Sequence, residues 1–145
     1  MLTEKDREDI LSLMGAFIQS MNEWEKFCNL IAQDKTLTFE EQFLKQKSLV
    51  IEIFQEYCTD KDRKFGRPTT VSYGNEGSYE YDPETEKILK IEDNDSKNKT
   101  IIITESAGVL PSKYQYIVVK KKGKWLLDSK KRYSSWKKQW MIEPL

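Results

Sequence analysis

Between Thr3 and Gln33 the apolar residues Ile10, Met14, Phe17, Met21, Trp24, Cys28 and Ile31 recur at alternating steps of four and three. That spacing sets them in one stripe along a single long α-helix. Thr3 as N-cap, with Glu4, Asp6, Glu8 and Asp9 near the positive end of the helix dipole, marks where the helix starts. A helix with one apolar face must cover it. About three heptads of this spacing suit a coiled coil with another chain, or a helix laid across other elements of its own domain. Packing within the chain is the expectation here.

A second helix is signalled by Thr38 with Glu41 three residues later, the pattern of a capping box. Its apolar set is Phe39, Phe43, Val50, Ile53, Phe54 and Tyr57. The texture changes from Gly66 onward. Gly66, Pro68, Gly74, Gly77 and Pro83 break the chain into short β-branched and aromatic runs. Strands are expected at 69–73, 78–82, 87–92, 100–104, 113–120 and 125–129, the last two joined as a hairpin through the lysine-rich turn at Gly123. In "YCTDKDRKFGRP" (57–68), Cys58 would end a buried helix face, 60–64 form a solvated turn, and Gly66 with Pro68 close the helix. Two helices followed by antiparallel strands predict one α+β domain over residues 1–145, its helices on one face of a curved sheet.

The chain has no histidine, which removes Ser-His-Asp and Cys-His nucleophile pairs and every histidine-containing zinc site. Its two cysteines, Cys28 and Cys58, fall in helical apolar patterns and are expected as buried thiols rather than ligands. No cofactor or metal is expected. No apolar run approaches the length of about 20 residues that spans a bilayer, and "MLTEKDREDI" lacks the basic-then-apolar pattern of a secretory signal. A cytoplasmic protein without a membrane partner is the expectation. With 24 basic and 24 acidic residues, the surface as a whole is not built to neutralise nucleic-acid phosphates.

"SMNEWEKF" in the first helix, "YCTDKDRKFGR" at the helix-to-sheet switch, "YEYDPETEKI" and the closing "YQYIVVKKKGKWLLDSKK" occur in that order along the chain. Together they resemble the bacterial immunity proteins with a nuclear transport factor 2-like fold, over about Ile10 to Trp140. The resemblance implies a cone-shaped α+β domain whose N-terminal helices pack into a strongly bent, mainly antiparallel sheet. It further implies a non-enzymatic protein that binds and neutralises a cognate polymorphic toxin, with no catalytic residues to carry over. Whether such a protein acts as monomer or homodimer is left open.

Charge is balanced overall but segregated. Residues 76–95 hold Glu76, Glu80, Asp82, Glu84, Glu86, Glu92, Asp93 and Asp95 against Lys87 and Lys90. Such a patch would steer a basic toxin active site onto the inhibitor; solvated turns with charges that deter edge pairing are the plainer reading. Candidate partner-binding residues are therefore Glu80, Asp82, Glu84, Glu86, Glu92 and Asp93, joined by Trp136 and Trp140, which stand four apart and would share a helix face or anchor a partner. The C-terminal basic segment interleaves lysines with Trp125, Tyr133, Trp136 and Trp140, a mixture that in other proteins grips single-stranded nucleic acid. Nucleic acid is not the expected partner, because Trp125 and Leu127 alternate as an inward strand face would. The alternative function is a small-ligand-binding or isomerase/dehydratase-like enzyme of the same fold. It would need a carboxyl group poised by an apolar pocket with tyrosine as donor, drawn from Tyr73, Tyr79, Tyr81, Tyr114, Tyr116, Asp82 and Asp128.

Overall fold

The computed structural model describes residues 2–93, 96–108 and 111–145. Helix α1 spans Glu4–Ala32 and helix α2 Phe39–Tyr57. Both begin with complete capping boxes: the Thr3 hydroxyl accepts from the Asp6 N–H while Asp6 accepts from Thr3, and Thr38 and Glu41 repeat the exchange. Two orphan N–H groups are thereby satisfied at each start.

Ile10, Met14, Phe17, Met21, Trp24 and Cys28 have no exposed surface, so the stripe is the core face of α1. Each large side chain buried this way contributes about 1.5–3 kcal/mol relative to exposure. Helix α2 lies against α1, and the polar exchange at their crossing is reciprocal. Trp24 Nε1 donates to the Gln46 carbonyl at 2.8 Å, and Gln46 Nε2 donates to the Cys28 carbonyl at 3.1 Å. The expected apolar face of α2 is only partly inward. Val50, Ile53 and Phe54 are buried, but Phe39 is 90% exposed and Phe43 42%, because the first turns of α2 have no element opposite them.

Five strands follow: β1 Glu86–Ile91, β2 Lys99–Ser106, β3 Ser112–Lys121, β4 Lys124–Ser134 and β5 Gln139–Glu143. They form one sheet in sequence order, every neighbour antiparallel. The β3–β4 hairpin turns through Lys122 (φ 52°) and Gly123 (φ 79°). Two consecutive positive-φ residues make the tight turn whose twist matches the flanking strands, and glycine adopts that conformation without steric cost.

Pairing register separates the two faces of the sheet. Ile102, Tyr116, Val118, Trp125 and Leu127 point inward and join the helices in one core. Ile101 pairs with Ile117 and Val119 with Leu126 on the other face. The register shifts by a bulge between Ile88 and Lys90 and again at Ile117–Val118, a feature that bends a strand locally.

Three expectations need correction. Residues 69–73 and 78–82 are not strands; the segment from Ser72 to Asp82 is irregular and is pinned to α1 by side chains. Gly66 does not close a helix, since α2 ends at Tyr57 and Cys58 already has an extended backbone, bridging to Leu127. Residues 59–65 instead run beside β4, where Arg63 donates to the Asp128 carbonyl at 3.0 Å. Gly66 (φ 86°) is required for a different reason: a Cβ there would stand 2.3 Å from the Pro144 side chain. Lastly, Trp136 and Trp140 share no helix face, because β4 continues to Ser134 and turns into β5.

Candidate functional site

A row of polar side chains flanks the apolar stripe of α1 and fixes the irregular segment. Glu25, fully buried, accepts from the backbone N–H groups of Gly74, Glu80 and Tyr81 at 2.9–3.0 Å. Burial raises the pKa of its carboxyl group, and the three N–H bonds only partly oppose that. Asn22 donates to the Tyr81 carbonyl at 2.8 Å and Asn29 to the Gly74 carbonyl at 3.0 Å. Positions 22, 25 and 29 share one helix side, so α1 supplies a ladder that stands in for the missing strand pairing.

The ladder holds Tyr81 over the inner face of the sheet, where it meets Tyr114, Tyr116 and Lys130. Lys130 is only 3% exposed. Its Nζ lies 4.5 Å from the Tyr81 ring centre, 4.3 Å from that of Tyr114 and 5.3 Å from that of Tyr116, with Glu143 Oε2 at 3.4 Å. An ammonium inside three aromatic rings is held by their negative faces. Next to it, Tyr116 and Thr104 each donate to Glu86 Oε2 at 2.7 Å, while Glu86 Oε1 is buried without a partner among the described residues. Burial pushes the Tyr81 and Tyr116 hydroxyls well above their ordinary range, so both stay protonated.

A cavity of about 370 Å³ opens beside Lys130, lined also by Arg67, Tyr114, Arg132, Glu80 and Glu143. Arg67 is buried, donates to the Leu145 carbonyl at 2.9 Å and to Glu80 at 2.7 Å, and lies over the Tyr81 ring. Each cation on this wall thus has a carboxylate partner: Glu80 for Arg67, and Glu143 for both Lys130 and Arg132. Of the tyrosines and aspartates singled out for chemistry, three tyrosines converge here, but neither aspartate joins them. Asp82 accepts from the Glu84 N–H in a local turn, and Asp128 accepts from Thr59 and Lys61. Burial pushes both cysteine thiols up to about 12, which leaves neither as a ready nucleophile.

The acidic set does not form one patch. Glu86 is 5% exposed with its carboxylate in the interior, so it is withdrawn from any contact surface. Glu80, Asp82 and Glu84 lie where β1 begins, whereas Glu92 and Asp93 follow its end, about 20 Å away by strand rise. Glu92 pairs with Lys90, and Asp93 with Arg7. Asp95 lies outside the described residues. Trp140 packs edge-on against Tyr133 with ring centres 5.3 Å apart, and Trp136, 87% exposed, lines a shallow cavity of about 460 Å³ with Glu105, Lys113 and Tyr133.

The roles of Glu25, Arg67, Lys130 and Glu86 were missed from sequence. The polar residues at 22, 25 and 29 running alongside the apolar stripe were the available signal; nothing in the composition distinguished Lys130 from the surface lysines around it.

A family model described as NTF2 fold immunity protein matches residues 9–143. The chain is 32% identical over 130 residues to the immunity protein RhsIA of Dickeya dadantii strain 3937, covering 89% of this chain and 90% of that one. The chain belongs to the NTF2 fold immunity protein family. No solved structure matches it. Two helices on an open five-stranded antiparallel sheet agree with the α+β fold that the family name describes. Among the described residues no helix is long and apolar enough to cross a membrane, and no cluster of histidine, cysteine, aspartate or glutamate has the make-up of a metal site.

Proposed function

We propose that this immunity protein binds a cognate toxin domain and neutralises it by covering its active site. Family membership across nearly the whole chain carries the reading. The interior supports a binding role over a catalytic one. The aromatic cage is filled by the chain's own Lys130, and the cations of the cavity face carboxylates.

The contact surface proposed is the end of the sheet where β1 begins and β4 turns into β5. It carries Asp82 and Glu84, which have no ion-pair partner among the described residues, with Glu80 on the cavity rim and Trp136 exposed at the turn. Glu92 and Asp93, at the opposite end and already paired, contribute less. Co-expression of the chain with the toxin domain encoded beside it is the test. The expected result is restored growth and one complex on gel filtration; persistent toxicity with no complex would overturn the reading.

A further inference from the structure

The outer face of the sheet carries two rows of features that the fold does not use. Along its centre run the half-buried pairs Ile101–Ile117 and Val119–Leu126, and on the edge strand β5, opposite Lys131, Ile142 is 90% exposed. Ile103, on the same face, is 9% exposed and stands outside the core cluster. Ile101, Ile117, Val119 and Leu126 all stand outside the core that the helices share with the inner face. A contiguous apolar surface of this kind marks an interaction site in a stable protein.

The border carries more lysine than carboxylate. Register places Lys87 and Lys90 on β1, Lys99 on β2, Lys113 on β3 and Lys131 on β4 at outward positions. Glu105 stands opposite both Lys87 and Lys113, and Glu92 pairs with Lys90, so lysine outnumbers carboxylate on this face but is partly answered by it. In a chain with equal numbers of acids and bases, this bias has to be set by segregation: the carboxylates lie around the 76–93 segment and the helices. The face continues without a break into the Tyr133–Trp140 pair and the Trp136 turn, the aromatic side of the contact surface proposed above.

We infer that the outer sheet face is the main docking surface for the toxin domain, and that the toxin presents to it a patch that is apolar at its centre and edged by carboxylates. This rests on the toxin-neutralisation reading and deepens it. Lysines around an apolar centre would speed encounter and fix orientation, while burial of Ile142 and the aromatics holds the complex. A standard interface of about 800 Å² per partner is large enough to take in both this face and the Trp136 end.

The test measures binding of the toxin domain encoded beside this chain to the wild type, to a Lys113→Glu/Lys131→Glu double variant and to Ile142→Asp. Each substitution is on the surface, so an unchanged melting curve checks folding. The double variant is expected to bind about 100-fold more weakly, mostly through slower association, and Ile142→Asp about tenfold more weakly through faster dissociation. If the wild type binds and both variants bind within about threefold of it, the docking face is wrong while neutralisation stands. If the wild type does not bind at all, the neutralisation reading fails and takes this inference with it. Variants that change only self-association on sedimentation, or only retention of single-stranded DNA, while toxin binding is kept, would also overturn it.

Discussion

Leu126 and Leu127 are neighbours on β4, yet one belongs to the outer face of the sheet and the other to the inner. Leu127 has no exposed surface and touches the helical core; Leu126 is half-buried opposite Val119, with no helix above it. The two faces differ in kind as well. The inner face buries tyrosines, a lysine and a glutamate, and answers their charges with hydrogen bonds and aromatic rings. The outer face keeps half-buried apolar side chains away from the helices, with more lysine than carboxylate around them. The first arrangement holds the fold together; the second does little for it, which is why it is read as a surface kept for a partner.

Substitution should separate the two faces by size of effect. Leu127→Ala is expected to cost about 2–5 kcal/mol of stability by leaving a cavity, measured by chemical denaturation; a loss as small as that of an outer residue would break the comparison. Tyr116→Phe removes a hydroxyl donor from the buried Glu86 carboxylate and should cost about 1–3 kcal/mol.

Asp6 tests the inner layer through pH. It accepts from the Thr3 N–H, Lys120 and Trp125, and those bonds, the Thr3 bond foremost, hold its pKa well below the usual carboxylate range. A depressed pKa contributes stability above the unfolded value, about 3.9 for aspartate, and that contribution is lost as pH falls toward the folded value. Wild type should therefore exceed Asp6→Asn in stability at neutral pH, and the gap should close progressively below about pH 4. A gap that stays constant with pH would show that Asp6 acts only through packing. The smallest effect is expected outside: Ile142→Thr should change stability by no more than about 0.5 kcal/mol.

Where local pattern and tertiary packing agree, the fold was legible in the sequence. The α1 stripe, both capping boxes, the inward alternation of Trp125 and Leu127 and the Gly123 hairpin are all set by residues close in the chain. The segment at 69–82 was misread because its β-branched and aromatic texture is satisfied by Glu25, Asn22 and Asn29, dozens of residues away, rather than by a neighbouring strand. Phe39 and Phe43 show the reverse limit: helical spacing says which residues share a face, not whether anything lies opposite. The candidate site was less legible still. Counting acids joined Glu86, whose side chain turns inward, to Glu92 and Asp93 at the far end of the strand. Lys130 was counted with the basic surface, although the inner-face position opposite Tyr116 encloses it.

Lysine-reactivity footprinting by mass spectrometry, with and without the toxin domain, tests the division of labour between the faces most directly. Lys87, Lys99 and Lys113 are exposed on the sheet side, and Lys5 and Lys26 on α1. The account predicts that the toxin domain protects the first three and leaves the α1 lysines reactive. Protection confined to Lys5 and Lys26, with the sheet lysines unchanged, would contradict it.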